Sequence, residues 1–334
     1  MRVVVTGASG NVGTSLLRAL GADDAVDEIL GLARRQPGGA FPKTEWRTAD
    51  VGRDDLVPLL RGADCAVHLA WAIQPSHDLP ALRRTNVDGS ERVFRAVANA
   101  GVPALVYASS VGAYSPGPKD RKVDESWPTD GTPTSFYARH KAEVEALLDR
   151  FQLERPATRV VRLRPGLIFK RSSGEEQRRY FLGPLFPRLL ARQAALAAVP
   201  DIGGGLRFQA VHTHDVAEAY RLAVVGAAHG AFNVAAEPTL DARTLARALG
   251  ARVLPVPASL VRKAMAASWR LRLQPTPPGW LDMGLSVPLM DTSRAREVLG
   301  WQPRHSSIEA IRAVLSGIAD AEGEPTPPLE PARR

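Results

Sequence analysis

The fold is decided by one stretch near the start of the chain, Val3-Val4-Val5-Thr6-Gly7-Ala8-Ser9-Gly10-Asn11-Val12-Gly13, in which a β-branched run leads into glycines spaced G-x-x-G-x-x-G. Gly7 permits a tight turn, Gly10 lets the backbone approach a pyrophosphate, and Gly13 permits close packing of a helix against the strand. The helix that follows would direct unpaired N–H groups at the phosphates. The spacing therefore predicts a dinucleotide-binding turn in preference to an ordinary strand–helix connection.

Outward from this turn, short apolar runs alternate with helical patterns through the first half of the chain. The predicted strands are Met1–Thr6, Glu28–Ala33, Cys65–Ala70, Ala104–Ser109 and Val160–Arg164. Apolar strands separated by helices indicate a parallel sheet that is covered on both faces. The sequence thus predicts an α/β fold, a doubly wound parallel Rossmann sheet with a smaller C-terminal α+β substrate-binding lobe.

The alternation weakens after Pro165, which sets the predicted domain boundaries. Residues 1–165 with about 209–236 are assigned to an NADP(H)-binding Rossmann domain, and about 166–208 with 237–322 to the substrate-binding lobe. The Ala- and Leu-rich run from Leu189 to Val199 predicts a buried helix. Residues 323–334 are rich in Pro, Glu and Arg and are predicted to form a flexible tail.

Composition excludes several classes of protein. The 334 residues are 45% hydrophobic and 23% charged, as in an ordinary globular protein with ample material for a core. The sequence has no run of about 18 apolar residues, so it predicts no membrane-spanning helix. The single cysteine, Cys65, argues against a disulfide framework and a cysteine-rich zinc site, and we expect a cytoplasmic protein.

The net charge of +8 could indicate nucleic-acid binding, but its distribution argues against it. Basic pairs such as Arg83-Arg84 and Arg178-Arg179 are scattered, with no dense basic run interleaved with aromatic residues. The excess could instead attract an anionic cofactor or substrate. The expected partner is a small molecule, with no nucleic acid and no membrane.

The second predicted strand ends in Gly31-Leu32-Ala33-Arg34-Arg35. An NAD-binding protein usually has an acidic residue here for the adenosine ribose hydroxyls. Guanidinium groups suit a 2′-phosphate, so Arg34 and Arg35 favour NADP(H), while NAD(H) is possible if both are solvated loop charges.

A tyrosine and a lysine stand four residues apart in Tyr137-Ala138-Arg139-His140-Lys141. On a helix they share a face, so the ammonium could lie near the phenol. A free phenol has a pKa of about 10, and a nearby cation lowers it toward the range of a useful base. Upstream, the strand Leu105–Ala108 ends in Ser109-Ser110, where a hydroxyl at the sheet's carboxyl edge could hold a carbonyl oxygen.

Together these segments resemble the short-chain dehydrogenase/reductase superfamily, specifically its extended branch, the NAD-dependent epimerase/dehydratase family. The resemblance extends to about Pro303. The matching segments are Thr6–Gly13, Asp50-Val51, His68-Leu69-Ala70, Asn86–Ser90, Ser109-Ser110 with Tyr114, Tyr137 with Lys141, Val211–Ala217 and Leu299–Pro303.

The resemblance implies a catalytic role for four residues. Tyr137 would be the general acid/base, and Lys141 would bind the nicotinamide ribose and lower the Tyr137 pKa. Ser110, in preference to Ser109, would hydrogen-bond the reacting oxygen. Asn86 would support a proton relay near the active site.

The remaining predicted contacts fall into two groups. Cofactor contacts are Gly7, Ser9, Gly10, Asn11, Val12, Gly13, Arg34, Arg35, Asp50, Val51, Leu69, Ala70 and Pro165, with Tyr137 and Lys141. Substrate contacts are Trp71, Ser110 and Tyr114. Trp269, Trp280 and Met283 could line a substrate pocket, although core packing is the favoured interpretation. No metal site is expected, because His212 and His214 have no further ligand at a suitable spacing.

Two departures from the family pattern bear on the substrate. Trp71 stands where many members have a small residue, which could narrow the substrate entrance or accommodate a flat apolar substrate. Arg164-Pro165-Gly166 stands where nucleotide-sugar epimerases commonly read Arg-x-x-Asn, which weakens a nucleotide-sugar assignment.

The sequence therefore predicts an NAD(P)-dependent oxidoreductase that transfers hydride between nicotinamide and a ketone/alcohol substrate. One alternative is an NAD-dependent nucleotide-sugar epimerase or dehydratase. Another is a non-catalytic dinucleotide-sensing protein, although such relatives would be expected to lose the Tyr/Lys pair. The resemblance also implies a homodimer, formed by the helix that contains Tyr137 and the helix that follows Asn86.

Overall fold

A computed structural model of the chain describes residues 1–183, 187–192 and 197–331. The strands are β1 (Arg2–Thr6), β2 (Glu28–Ala33), β3 (Thr44–Thr48), β4 (Cys65–His68), β5 (Ala104–Ala108), β6 (Lys122–Val123), β7 (Arg159–Pro165), β8 (Leu167–Phe169), β9 (Ala198–Ile202), β10 (Ala210–His212), β11 (Gly230–Val234), β12 (Arg252–Val256) and β13 (Leu289–Met290).

The helices are α1 (Asn11–Gly21), α2 (Val57–Leu60), α3 (Leu79–Arg83), α4 (Gly89–Ala100), α5 (Phe136–Glu154), α6 (Gly174–Gln177), α7 (Thr213–Val225), α8 (Ala242–Leu249), α9 (Ala258–Arg270), α10 (Gly279–Ser286), α11 (Ser293–Leu299) and α12 (Ser307–Ala319). Short 3₁₀ turns occur at Val111–Ala113, Arg171–Ser173 and Arg188–Ala191, and π turns at Arg84–Asp88 and Arg178–Leu182.

A seven-stranded parallel sheet in the order β11-β7-β5-β4-β1-β2-β3 forms the centre of the molecule. The strand order reverses beside β1, which places a crevice at the carboxyl ends of β1 and β4. One apolar core joins this sheet to α1 and α7, through Leu16 and Tyr220 among others. A second core joins the other face to α4 and α5, through Phe94 and Leu148. The predicted doubly wound Rossmann sheet is confirmed.

The second half of the chain adds three two-stranded parallel pairs, β8–β10, β9–β12 and β6–β13. β11 returns from this half of the chain to the central sheet, where it pairs with β7. The described residues contain no helix that is long and apolar enough to cross a bilayer.

The helix predicted over Leu189–Val199 is wrong at its carboxyl end. Strand β9 occupies residues 198–202, where Val199 pairs with Val253 of β12. Residues 193–196 of that prediction lie outside the described residues.

The segment from Gly323 to Pro331 is packed, and the predicted flexible tail is corrected for these residues. Thr326 and Leu329 are completely buried. The Glu324 carboxylate lies 2.6 Å from Nζ of Lys170 and 2.7 Å from a guanidinium nitrogen of Arg18. The composition of the segment does not indicate that Glu324 is the counter-ion of buried Lys170. Residues 332–334 lie outside the described residues.

The Glu324 contacts predict how the segment contributes to stability. Although burial raises the Glu324 pKa, the Arg18 hydrogen bond and the Lys170 charge outweigh burial and hold it at about 2. Glu324→Gln leaves the Lys170 ammonium buried and unpaired, and we expect a loss of about 3 kcal/mol in unfolding free energy at pH 7, measured by urea denaturation.

The matched control is Glu322→Gln, which removes an exposed ion pair with Arg171 directly before this segment. We expect this control to lie within about 0.5 kcal/mol of wild type. The Glu324 contribution is complete above the unfolded pKa of about 4.5 and is lost as pH falls toward 2. Equal effects of the two substitutions would show that the segment is not anchored at Glu324.

Candidate active site

The turn after β1 is shaped to admit an anion. Gly7 has φ of +70°, and a Cβ at this position would lie 2.6 Å from the backbone nitrogen of Ala70. Helix α1 starts at Asn11 with no side-chain cap on its N-terminus. Since first-turn N–H groups have no partner within a helix, this end of α1 suits a phosphate.

A cleft extends from this turn along the carboxyl edge of the sheet. It collects most of the predicted cofactor contacts and one predicted substrate contact: Gly7, Ser9, Gly10, Arg34, Asp50, Val51, Leu69, Ala70 and Trp71. Its wall also includes residues that the sequence did not indicate: Leu32, Ala33, Ala49, Ile73, Gln74, Thr85, Glu176, Tyr180 and Pro328. The glycine turn and the end of β2 thus border one cavity.

Seven predicted cofactor contacts are absent from the described lining of the cleft: Asn11, Val12, Gly13, Arg35, Pro165, Tyr137 and Lys141. The Asn11 side chain donates to the Ile168 carbonyl (3.4 Å) and accepts from the Thr213 hydroxyl (3.1 Å). A Cβ on Gly13 would lie 2.4 Å from the Ala8 carbonyl oxygen. These two residues therefore join elements around the turn.

The positions of Val12, Arg35 and Pro165 explain why they do not line the cleft. Val12 packs against the core beneath the sheet. Arg35 is exposed beyond the end of β2. Pro165 is buried at the end of β7, opposite Val234 of β11. Of the two predicted phosphate-binding arginines, only Arg34 lines the cleft.

Tyr137 stands in the first turn of α5, next to the residues that follow β5. The Ser110 hydroxyl accepts a hydrogen bond from the backbone N–H of Gly112 (3.0 Å) and also interacts with the Tyr137 phenol. A Cβ on Gly112 would lie only 2.8 Å from Cε1 of Tyr137, so glycine lets the phenol approach this segment. Burial raises the Tyr137 pKa to about 12, while the Ser110 hydroxyl opposes that rise. The phenol is therefore protonated at neutral pH.

Lys141 is buried one helical turn after Tyr137. Its Nζ donates to the Ala108 carbonyl at 2.6 Å and lies 3.4 Å from the centre of the Trp71 ring, but 6.0 Å from the Tyr137 ring centre. Burial holds the Lys141 pKa well below its usual value, against the opposing charge of Glu145. In this structure the Lys141 ammonium is directed at Ala108 and Trp71, and its lowering of the Tyr137 pKa stays a prediction.

The two serines after β5 have different partners. The Ser109 hydroxyl donates to Oε1 of buried Glu145 at 2.5 Å, so it serves the packing of α5. Ser110 is the serine that contacts Tyr137. This difference supports the sequence-based choice of Ser110 over Ser109.

Asn86 lies near the site but does not supply a free amide to it. Its Oδ1 accepts from the Ala72 N–H at 2.7 Å, and its Nδ2 donates to the Ala72 carbonyl at 3.1 Å. Both ends of the amide are therefore occupied by one backbone residue. Asn86 positions the loop that carries Trp71, and the relay role implied by the resemblance stays a prediction.

A family model described as the NAD dependent epimerase/dehydratase family matches residues 3–235, which include the phosphate turn, Ser110, Tyr137 and Lys141. The chain belongs to this family.

The curated relatives that the chain matches differ in the share of their length that the match covers. An uncharacterised protein of Mycobacterium tuberculosis is 26% identical over 314 residues, which cover 93% of this chain and 29% of that relative. The chain thus spans less than a third of the first curated relatives that it matches. NAD-dependent glucose-6-phosphate dehydrogenase of Haloferax volcanii is 31% identical over 163 residues, 46% of this chain and 55% of that enzyme.

Among solved structures, Thermus thermophilus UDP-glucose 4-epimerase in complex with NAD superposes with a TM-score of 0.70. The alignment covers 96% of this chain and 100% of that one, with 22% sequence identity. At this identity the likeness establishes a shared fold.

The family pattern predicts that Tyr114 contacts the substrate, but its hydroxyl is bound within the protein. Its hydroxyl donates to Oδ1 of Asn233 at 2.6 Å and accepts from Arg164 at 3.1 Å, and its side chain is completely buried. The prediction is wrong because the motif gives only the position of Tyr114 in the sequence. It does not indicate that buried Arg164 binds the Tyr114 hydroxyl.

A second cavity is lined in part by Val111, the residue after Ser110. Its lining is almost entirely apolar: Val111, Gly166, Leu167, Leu206, Phe208, Gln209, Met283, Gly284, Val287, Pro288 and Met290. Gln209 is the one lining residue with a polar side chain, and its amide is bound to the backbone of Met290 at both ends (3.0 and 2.6 Å). The described wall therefore leaves no polar side chain free for a ligand.

Aromatic rings enclose Tyr137 between the two cavities. Trp71 lies edge-on at 6.0 Å between ring centres, and Trp280 lies tilted at 4.9 Å. Trp280 and Met283 thus border the site, where the sequence favoured plain core packing. Nε1 of Trp71 and Nε1 of Trp280 are buried and have no hydrogen-bond partner within the described residues.

Glu176 is the least expected residue of the cofactor cleft. It comes from α6 in the second half of the chain, and its carboxylate is buried in the cleft wall. Burial raises the Glu176 pKa to about 7, against the lowering influence of Lys170 and Arg179. No sequence pattern marks this residue, because only the tertiary fold brings α6 to the glycine turn.

Glu176 predicts a pH dependence of cofactor binding. As pH rises through about 7, the carboxylate ionises and adds a negative charge to a wall that faces an anionic dinucleotide. We expect the dissociation constant of NADPH to rise by about three- to tenfold between pH 6 and pH 8.5, measured by fluorescence titration. Glu176→Gln should flatten this profile, whereas the exposed Glu322→Gln control should retain it. A profile unchanged by Glu176→Gln would contradict the assignment.

Proposed function

We propose that this protein is an NAD(P)-dependent oxidoreductase that interconverts a ketone and an alcohol on an apolar, flat substrate. The observation that carries the proposal is the apolar cavity that starts beside Ser110. A substrate in that cavity would present its oxygen to Ser110 and Tyr137 while its carbon skeleton contacts residues such as Phe208 and Met283.

Tyr137 and Ser110 are suited to the proton and oxygen chemistry of this reaction. Since burial keeps the Tyr137 phenol protonated at neutral pH, it can donate a proton to a ketone oxygen during reduction. The Ser110 hydroxyl would hold the same oxygen by a hydrogen bond. A bound nicotinamide would supply the hydride in reduction or accept it in oxidation.

The cleft supports the cofactor assignment at its adenine end. Arg34, at the end of β2, would hold a 2′-phosphate by charge-assisted hydrogen bonds, so NADP(H) is the favoured cofactor and NAD(H) the alternative. The N-terminus of α1 would hold the pyrophosphate. Lys141 could reach the nicotinamide ribose once the Trp71 ring that covers it shifts.

The cavity argues against a nucleotide sugar, whose hydroxyls and diphosphate need hydrogen-bond donors and cations. Burial of polar groups without partners carries a large free-energy cost. The family's Arg-x-x-Asn pattern becomes Arg164-Pro165-Gly166-Leu167 here, and Leu167 lines the cavity where the asparagine would stand. An aliphatic side chain at this position favours an apolar ligand.

A nucleotide-sugar epimerase or dehydratase is the second candidate, and one observation favours it. Lys119 donates to the carbonyls of Arg207 (2.8 Å) and Gly284 (2.9 Å) beside the cavity, and Nε of Arg207 is buried with no partner among the described residues. Two cations at this edge could bind a diphosphate. A purely sensory role fits less well, because Ser110 and Tyr137 are in contact.

The homodimer stays a prediction from the resemblance. The two helices implied in it, α4 and α5, pack side by side on one face of the sheet.

The proposal is tested by comparing two tyrosine variants in the NADPH-dependent reduction of aryl and cyclic ketones. Tyr137→Phe removes the proton donor, and we expect kcat to fall by about 10²- to 10⁴-fold while NADPH binding stays near wild type. Tyr114→Phe is the matched control, since this buried tyrosine contacts Arg164 and Asn233 and should leave kcat largely unchanged. Ketone reduction that survives Tyr137→Phe would sink the proposed mechanism.

A further inference from the structure

Helix α9 has an outward-facing apolar stripe. Leu260, Ala264, Ala267 and the C-cap residue Leu271 are all exposed and recur at intervals of four, three and four residues, which places them on one helix face. Leu260 and Leu271 are 60% and 69% exposed. α9 contains no buried residue at all. The face turned toward the protein carries Trp269, which stacks on His77 at 4.3 Å between ring centres.

Further large apolar side chains are exposed on both sides of the helix. Leu273 follows it at 69% exposure, and Leu254 precedes it on β12 at 55%. Scattered exposed leucines are normal on protein surfaces, but a concentration on one element and its flanks indicates a contact surface. We refer to the exposed apolar residues of 254–273 as the α9 stripe.

The stretch of sequence that contains the α9 stripe is strongly basic. Between Asp241 and Asp282 the sequence contains seven arginines and lysines and no acidic residue: Arg243, Arg247, Arg252, Arg262, Lys263, Arg270 and Arg272. Within the described residues, Lys263 and Arg270 border the stripe without an ion-pair partner. Like charges oppose the pairing of this surface with a second copy of itself.

Helix α9 is joined by an ion pair to α10, which lines the apolar cavity. Nε of Arg262 lies 2.7 Å from Oδ1 of Asp282, which ties α9 to α10. α10 in turn supplies Met283 and Gly284 to the cavity wall. The α9 stripe and the proposed substrate cavity therefore share one structural unit.

We propose that the α9 stripe docks on an anionic lipid surface, with its leucines in the headgroup–acyl boundary and its basic residues at the lipid phosphates. An amphipathic helix with basic flanks and an outward apolar face has the pattern of an interfacial helix. The sequence predicts no membrane partner, and this proposal departs from that expectation. The proposal rests on the surface of α9 and is independent of the reaction at Tyr137.

The test is sedimentation of the full chain with vesicles of phosphatidylglycerol and phosphatidylcholine, compared with phosphatidylcholine alone. We expect binding to the anionic vesicles that weakens as salt is raised. Leu260→Ser/Leu271→Ser should lower the partition coefficient by about tenfold or more, because it removes the inserted side chains. Arg270→Gln/Arg272→Gln should lower it by about thirtyfold.

Leu153→Ser is the matched control, since Leu153 is 83% exposed but lies on α5, outside the stripe. It should bind vesicles as wild type does. All these residues are exposed, so circular dichroism and NADPH binding should be unchanged in every variant. Absence of binding to anionic vesicles, or equal losses from the Leu153 and Leu260/Leu271 variants, would overturn the proposal. Binding to polyglutamate but not to vesicles would overturn it in favour of an acidic protein partner.

Discussion

The carboxylate of Glu145 is completely buried on α5, and the geometry of the site depends on the groups that bind it. Arg162 approaches one oxygen at 2.8 Å, Arg164 approaches the other at 2.9 Å, and the Ser109 hydroxyl donates at 2.5 Å. Although burial raises the Glu145 pKa, the two guanidinium groups and Ser109 outweigh it and hold the pKa at about 2. These bonds fix α5 against β5 and β7, the elements that place Tyr137 beside Ser110.

This buried ion cluster also separates packing roles from chemical roles. Breaking a buried pair by removing one partner is strongly destabilising, so Arg164 is committed to Glu145 and to the Tyr114 hydroxyl. Tyr114 and Ser109 are consequently packing residues. Arg164 is turned toward this cluster, and Leu167 lines the apolar cavity.

Much of the cleft lining could be predicted from local sequence. The glycine turn, the end of β2 and Asp50-Val51 each lie at a strand end, and parallel topology brings such ends to one edge of the sheet. Ser110 and Tyr137 follow in the same way from β5 and the start of α5. For this reason the sheet and the line of the cleft could be predicted before the structure was known.

The remaining features depend on contacts between residues far apart in the chain. Glu176, Tyr180 and Pro328 reach the cleft only because the second half of the chain folds over it. Lys170 holds residues near the carboxyl end in place, although their composition indicates a flexible tail. The Lys141 ammonium contacts the Ala108 carbonyl and the Trp71 ring. The Y-x-x-x-K spacing does not indicate either contact, because both partners lie far from Lys141 in the sequence.

The most direct measurement on the central claim, net oxidoreduction of an apolar substrate, is the identity and exchange of the bound nucleotide. Freshly purified protein would be denatured, any released nucleotide identified, and the emptied protein titrated with NADPH and NADH. We expect an exchangeable cofactor and tighter binding of NADPH, because a dehydrogenase must replace its cofactor each cycle and Arg34, which lines the cleft, would bind a 2′-phosphate. Tightly retained NAD⁺ that resists exchange would contradict it and identify an epimerase or dehydratase that regenerates its cofactor in place.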